Sequence, residues 1–139
     1  MIRAATAGDA GAVIALWTAC GLTRPWNDPQ ADFDLALNTA TSTILIAAEA
    51  GRIVGAVMVG FDGHRGWVYY LAVDPAFRRG GLGRTLVQAA EVWLAEQGAP
   101  KVQLMVRADN AETLAFYAAL GLETQTVTVL GRRLDGRTG

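Results

Sequence analysis

Residues 78–84 hold the group of side chains with the clearest chemical meaning in this 139-residue chain. The segment reads Arg-Arg-Gly-Gly-Leu-Gly-Arg, so three arginines and three glycines fall within seven positions. It lies between an apolar strand pattern and a helical pattern that begins at Leu82. The first N–H groups of a helix lack an intrahelical acceptor and carry partial positive charge, and glycine lets a ligand approach the backbone closely. We therefore expect an anion-binding loop; the alternative is a glycine-rich turn with solvated arginines.

Two common nucleotide-binding loops are excluded by the residues around these glycines. A Walker-type loop requires Lys and then Ser or Thr after its last glycine, whereas Gly83 is followed by Arg84 and Thr85. A dinucleotide-binding fingerprint requires a third glycine where this chain has Leu86. The three apolar runs before the loop also predict an antiparallel meander, which conflicts with a Rossmann half.

The composition excludes further classes of protein. A net charge of −1 is evidence against binding nucleic acid through its phosphates, because such proteins carry a strong basic excess. One cysteine, Cys20, and one histidine, His64, provide neither an internal disulfide nor a Cys/His metal cluster. No segment has the pattern of a signal peptide or a membrane span. We expect a cytoplasmic protein that uses no metal and contacts neither nucleic acid nor membrane.

The elements that must position this loop follow from hydrophobic periodicity and turn signals. They predict one domain, residues 1–139 with a loose tail at 135–139, in the order β-α-α-β-β-β-α-β-α-β-β. This is an α+β layered fold with a mixed, mostly antiparallel sheet of six to seven strands flanked by about four helices. Strands are expected at 1–5, 43–50, 53–61, 67–73, 101–107, 123–129 and 130–134, and helices at 7–20, 29–39, 82–97 and 110–120. The unit from 67 to 107 should be a right-handed crossover with parallel strands.

A second motif lies in the last predicted helix. Asn110 is followed seven positions later by Tyr117, and Gly121 ends the helix. Residues 78–83 match the pattern Arg/Gln-x-x-Gly-x-Gly/Ala between a strand and a helix. With these two motifs and this element order, the chain resembles the GCN5-related N-acetyltransferase (GNAT) family over essentially its whole length. It is most similar there to the small bacterial YpeA-like acetyltransferases, at residues 24–29, 62–66 and 69–70.

The resemblance implies an acetyl-CoA-dependent N-acyltransferase that transfers the acetyl group to a primary amine by direct attack in a ternary complex. The pyrophosphate would lie on backbone N–H groups of residues 79–84. The pantetheine would pair with the central strand, which in this family carries a bulge and splays from the next strand. The N–H of Val73 would stabilise the thioester oxygen as it gains charge. The implied donor-binding residues are Leu71, Ala72, Val73, Arg78, Arg79, Gly80, Gly81, Gly83, Arg84 and Asn110.

Two proton transfers must accompany this reaction, because the acceptor amine loses a proton and the departing sulfur gains one. The family's pattern makes Tyr117 the catalytic acid, and a phenol with a pKa of about 10 is protonated at neutral pH. Many relatives have a glutamate as the base near the end of the central strand, where this chain has Tyr69 and Tyr70. The further candidates for the base are Glu49, Asp62, His64 and a chain of water molecules.

The acceptor is expected to be a small-molecule or peptide amine. In this family the loop between the first two helices borders the acceptor, and an aromatic residue beside an acidic one suits an amine. The residues implied on this side are Trp26, Asn27, Asp28, His64, Tyr69 and Tyr70. Two other functions stay open: a non-catalytic acyl-CoA-binding sensor and a partner-binding domain. A homodimer through the C-terminal strands is a further prediction, since a sheet edge needs covering.

Overall fold

The computed structural model describes residues 1–138, which contain five strands and four α-helices. The chain divides into two compact units, Met1–Leu104 and Met105–Gly139. The first contains β1 (Ile2–Ala4), α1 (Ala10–Ala19), α2 (Pro29–Asn38), β2 (Ser42–Glu49), β3 (Arg52–Phe61), β4 (Gly66–Val73), α3 (Leu82–Glu96) and β5 (Val102–Leu104). The second contains α4 (Ala111–Ala119). The single domain over residues 1–139 stays a prediction.

The five strands form one sheet in the order β1-β2-β3-β4-β5. The first three pairings are antiparallel, and β4 pairs with β5 in parallel. Because α3 connects those two strands, the predicted parallel crossover is confirmed. The fifth strand is shorter than predicted and ends at Leu104. None of the helices in residues 1–138 is long and apolar enough to cross a membrane.

Local sequence signals set the ends of several elements. The carboxylate of Asp28 accepts a hydrogen bond from Ala31 N–H at 3.1 Å, and Pro29 takes the first position of α2, as predicted. The β2–β3 turn lies at Ala50 and Gly51, with φ angles of 50° and 78°. It begins one residue earlier than the predicted Gly51–Arg52 turn, because this hairpin turn requires positive φ at both central residues and Arg52 already pairs with Glu49.

Helices cover both faces of the sheet. Val13, Leu16 and Trp17 of α1 pack with Phe33 of α2 in the core on one face. On the other face the core includes Leu86, Ala90 and Leu94 of α3. These are the faces that the helical periodicity predicts.

Two glycines let α3 lie directly against the sheet. A Cβ at Gly66 would lie 2.6 Å from both Cδ atoms of Leu94, and a Cβ at Gly55 would lie 2.8 Å from Leu86 Cδ1. Both leucines are buried. The contact at Gly55 holds the first turns of α3, and so the end of the loop 78–84, next to β3.

We expect Gly66→Ala to lower the free energy of unfolding by about 1–3 kcal/mol, because an added methyl group in a packed core forces neighbouring atoms to move. Urea denaturation followed by circular dichroism measures this. Gly11→Ala is the matched control: no atom lies within 4 Å of a Cβ at this position in α1, so the same substitution should raise stability by about 0.5–1 kcal/mol. A Gly66→Ala protein as stable as the wild type would contradict the close packing of α3.

The two strands predicted at 123–129 and 130–134 do not form, so the sheet has five strands and not six or seven. Apolar side chains in this segment are exposed, including Val127 (75%), Leu130 (88%) and Leu134 (95%). An apolar alternation becomes a strand only where a neighbouring backbone supplies ladder hydrogen bonds, and in the described residues none does. The strands expected to mediate a homodimer are therefore absent.

Residues 135–138, the described part of the predicted tail, lie in no helix or strand. The guanidinium of Arg133 pairs with the carboxylate of Asp135 at 2.7 Å, and Arg137 N–H also donates to that carboxylate. These contacts hold the pKa of Asp135 well below its usual range. Gly139 lies outside the described residues, and the looseness of the tail stays a prediction.

Candidate functional site

One edge of the central strand β4 is only partly paired. Its first three residues, 66–68, pair in parallel with β5, and this pairing stops at Val68 and Leu104. On its other edge β4 stays paired with β3 as far as Val73. In the described part of this unit, the β4 edge from Tyr69 to Val73 therefore faces no strand. This is the separation that the family resemblance implied, and an extended ligand can add to a sheet at such an open edge.

A bulge lies at the point where this edge becomes unpaired. Met58 pairs with Tyr69 and Ala56 pairs with Ala72, so one residue of β3 faces two residues of β4, Tyr70 and Leu71. Tyr70 has a φ angle of 51°. A bulky residue in this left-handed region costs about 1–3 kcal/mol, which the surrounding contacts must offset. The bulge changes the direction of β4 beside the open edge.

Beyond the bulge, backbone direction alternates in a way that selects Leu71 and Val73 for the open edge. Asp74 N–H donates to the carbonyl of Val54 on β3 at 2.8 Å. Because successive residues of a strand alternate, Ala72 also directs its backbone groups toward β3, whereas Leu71 and Val73 direct theirs away from it. Of the three predicted pantetheine-binding residues, the two outer ones therefore offer backbone N–H groups to a ligand.

Arg78 joins the glycine-rich loop to the end of β4. Its Nε donates to the carbonyl of Val73 at 3.2 Å, and its Nη2 lies 3.5 Å from the sulfur of Cys20. The thiol of Cys20 donates to the same carbonyl at 3.3 Å. The Val73 carbonyl is thus already paired, and Arg78 orients the end of the strand. Its role in binding a donor stays a prediction.

The loop itself exposes a series of backbone N–H groups. Arg79 and Gly81 have φ angles of 70° and 81°, and Gly81 is the N-cap of α3. Left-handed residues in a turn make neighbouring N–H groups converge on one point, which favours an anion. Thr85 N–H makes the first intrahelical bond, to the Gly81 carbonyl at 3.0 Å. The N–H groups of residues 82–84 therefore have no acceptor within the helix.

The open β4 edge and the loop 78–84 together suit a ligand that has a phosphate group at one end and an amide-bearing chain at the other. The exposed side chains of Arg79 and Arg84 add positive charge beside the loop. No atom lies within 4 Å of a Cβ at Gly81, so the space there is open to a ligand. Among residues 1–138, no group of three or more His, Cys, Asp or Glu side chains is placed to hold a metal ion.

In the second unit, the two predicted functional residues are Asn110, the N-cap of α4, and Tyr117 within this helix. The side chain of Asn110 accepts a hydrogen bond from Thr113 N–H at 3.2 Å, so it caps the helix. Tyr117 is 8% exposed, and its ring contacts that of Phe116 edge to face with centroids 5.0 Å apart. Burial raises the pKa of Tyr117 to about 12. The phenol is therefore protonated throughout the ordinary pH range.

Tyr70 faces the α1–α2 side of the sheet and makes two specific contacts there. Its ring stacks on Trp17 with centroids 4.0 Å apart and planes inclined by 14°. Its hydroxyl donates to Asp32 Oδ2 at 2.7 Å. Burial, and then the Asp32 carboxylate, raise the pKa of Tyr70. The Trp17 indole N–H is buried without a partner in the described residues, the kind of group that bound water or a ligand satisfies.

Asp32 is a residue of this cluster that the sequence analysis did not identify. It lies on α2, 38 positions before Tyr70. A single aspartate in the first turn of a helix is an ordinary helix-stabilising residue, so no local signal distinguishes it. Tyr69, by contrast, is 41% exposed and stacks on Trp67, so the two predicted tyrosines face different sides, as the alternation of a strand requires.

The loop between α1 and α2 carries the remaining predicted acceptor residues. Trp26 is 39% exposed, and Asn27 N–H donates to the carbonyl of Arg24 at 3.1 Å. Asp28 uses one carboxylate oxygen to cap α2 and stays exposed. The role of these three residues toward an acceptor stays a prediction.

Comparison with known sequences decides the family. Residues 12–122 match the family described as "Acetyltransferase (GNAT) family". The chain belongs to the GNAT acetyltransferases. The acetyltransferase YE1169 of Yersinia enterocolitica is 45% identical over 133 residues, covering 96% of this chain and 94% of that protein. The acetyltransferase ECA0875 of Pectobacterium atrosepticum is 46% identical with the same coverage.

Solved structures confirm the GNAT fold. The aminoglycoside N-acetyltransferase AAC(6')-Iy in complex with CoA superposes with a TM-score of 0.82 at 19% identity, covering 96% of this chain and 94% of that one. The apo aminoglycoside 6'-N-acetyltransferase AAC(6')-IG from Acinetobacter haemolyticus gives a TM-score of 0.78 at 21% identity, covering 97% and 99%. At these identities the likeness extends to the fold alone.

Three of the predicted candidates for the base in this GNAT chain, Glu49, Asp62 and His64, lie away from residues 71–73 of the open β4 edge. Asp62 accepts from the N–H groups of His64 and Arg65 at 2.8 and 2.7 Å, which holds its pKa below the usual range, Arg65 contributing most. This turn precedes β4, whose eight residues span about 23 Å before Val73. Glu49 ends β2, two strands away from β4 in the sheet. None of these three side chains is placed to act at the edge 71–73.

Proposed function

We propose that this GNAT chain transfers the acetyl group of acetyl-CoA to a primary amine, a small molecule or a peptide, by direct attack in a ternary complex. The observation that supports it is the unpaired β4 edge at residues 69–73, followed within the same unit by the anion-binding loop 78–84. Acetyl-CoA supplies an acetyl thioester and a phosphate-bearing handle. This chain offers N–H groups to both parts: those of Leu71 and Val73 at the β4 edge to the thioester end, and those of residues 79–84 in the loop to the phosphates.

Each part of the donor site has a distinct task in this proposal. The N–H groups of residues 79–84 bind the pyrophosphate, with Arg79 and Arg84 adding charge. The backbone of Leu71 extends the sheet pairing to the pantetheine. Val73 N–H is directed at the thioester oxygen and stabilises it as negative charge develops, which is the largest single effect available to such a site. Arg78 holds the Val73 peptide in place through the carbonyl.

Tyr117 donates a hydrogen bond to the departing sulfur in this proposal. With its pKa at about 12, it is a weaker acid than a thiol, whose pKa is about 8.5. Complete proton transfer to a thiolate is therefore uphill, and stabilisation of the developing charge by the phenol O–H is the favoured role. Burial, and no neighbouring charge, raises the pKa of Tyr117, so its O–H group is a neutral donor.

The proton of the acceptor ammonium leaves to water in this proposal. Tyr69 and Tyr70 have raised pKa values, in both cases chiefly through burial, so neither is a base at neutral pH. The open edge of β4 provides a route by which solvent reaches the amine.

Calorimetric titration of the purified protein with acetyl-CoA, CoA and ATP tests the donor site. We expect saturable binding of acetyl-CoA and CoA and none of ATP. CoA release in a screen of amines, including peptides and aminoglycosides, then tests transfer. Binding without transfer to any amine would favour the acyl-CoA sensor, and no binding at millimolar acetyl-CoA would leave the partner-binding domain.

A further inference from the structure

On the α1–α2 side of β4, a hydrogen bond from Tyr70 fixes the position of the Asp32 carboxylate. It is half-buried, and the structure gives it one side-chain partner, the Tyr70 hydroxyl at 2.7 Å. That hydroxyl belongs to a strained residue in the bulge, next to Leu71 on the open edge. A neutral donor orients a carboxylate without neutralising it, so the charge of Asp32 stays available to a cation.

In the described residues this carboxylate forms no ion pair, so no positively charged side chain neutralises it directly. Arg24, the cation that acts on Tyr70 electrostatically, donates instead to the carbonyls of Gly21 and Thr23. The half-buried Tyr70 ring lies beside it, with one face covered by the buried Trp17 ring. A carboxylate beside an aromatic ring is suited to binding an alkylammonium group.

Distance decides which amine of an acceptor this carboxylate can bind. The reacting nitrogen must approach the backbone edge of Leu71 and Val73, where the thioester is proposed to lie. Asp32 contacts the hydroxyl of Tyr70 on the α1–α2 side of the sheet, a full tyrosine side chain away from the Tyr70 backbone that precedes Leu71. It therefore cannot hold the reacting nitrogen, whereas a second cationic group a few carbon atoms away along the acceptor can reach it.

We propose that Asp32, oriented by Tyr70, binds a second, non-reacting ammonium group, and that the acceptors of this enzyme are diamines or larger amines with two separated positive charges. This inference rests on the proposed function. It makes Asp32 a specificity-determining residue and Tyr70 a positioning residue that acts through it.

The test compares 1,4-diaminobutane with butylamine as acceptors, with CoA release as the readout. Asp32→Asn keeps the size and the acceptor oxygen for Tyr70 and removes only the charge. We expect it to lower kcat/KM for the diamine at least about tenfold, as loss of a charged hydrogen bond does, and to change butylamine less than twofold. Asp34→Asn, an exposed aspartate on the same helix that accepts from Gln30, should change neither. Tyr70→Phe should give a smaller loss, again selective for the diamine.

Each other outcome has a defined meaning. Equal losses for both amines, no loss in Asp32→Asn, or a wild-type protein that does not favour the diamine would overturn the proposal, and thermal unfolding of each variant identifies a purely structural role. If the wild-type protein acetylates neither amine but binds acetyl-CoA, the diamine assignment fails while the donor site stands. Absence of acetyl-CoA binding would show instead that the proposed function itself has failed.

Discussion

Gly81→Val is expected to raise the Kd for acetyl-CoA by at least about 100-fold. Gly81 has a φ angle of 81°, a conformation that costs an L-residue about 1–2 kcal/mol and a β-branched residue more. The added side chain would also project into the open space where a phosphate must approach the N–H groups of the loop. Both effects remove donor binding, and calorimetric titration with acetyl-CoA measures it.

Gly98→Val provides a matched control for this substitution. Gly98 follows the other end of α3, has a φ angle of 86° and likewise has no atom within 4 Å of a Cβ. The substitution therefore imposes the same backbone strain about 22 Å away along a helix of 15 residues. Acetyl-CoA binding should survive in Gly98→Val. Equal loss in both variants would mean that strain, and not the loop, explains the result.

Tyr117→Phe is expected to lower kcat about 10- to 100-fold and to leave the Kd for acetyl-CoA within about twofold. A hydrogen bond to a charged group contributes about 1.5–3 kcal/mol, and the substitution removes this donor while keeping the ring. Steady-state CoA release with the best acceptor measures kcat. Since the pKa of Tyr117 is about 12, the wild-type rate should show no loss from phenol deprotonation between pH 7 and 10.

Thr113→Val is the control for Tyr117→Phe. It removes a hydroxyl from the same helix at nearly constant volume, and kcat should change less than twofold. If Tyr117→Phe retained full turnover, the role that the family's motif gives to this tyrosine would not apply to this chain. If acetyl-CoA binding fell in parallel with turnover, Tyr117 would instead be a residue that binds the donor.

The sequence by itself determined the parts of the fold that depend on neighbouring residues. The Asp28–Pro29 start of α2, the hairpin near Gly51 and the apolar face of α3 all follow from backbone preferences and periodicity over a few positions. The loop 78–84 belongs to the same class, because its glycines and the helix that follows them are adjacent in the chain. The family followed from that loop together with Asn110 and Tyr117.

Tertiary structure alone decided what depends on residues far apart in the chain. The Asp32–Tyr70 bond, the Cys20 contact with the Val73 carbonyl and the approach of Leu94 to Gly66 join positions separated by 28 to 53 residues. The end of β5 pairing at Val68 and the absence of strands at 123–134 were decided in the same way. A strand exists only where a partner backbone completes its hydrogen bonds, and a carboxylate gains its role from whatever packs against it. Neither the partner backbone of a strand nor the packing around a carboxylate can be predicted from the residues adjacent to it in the chain.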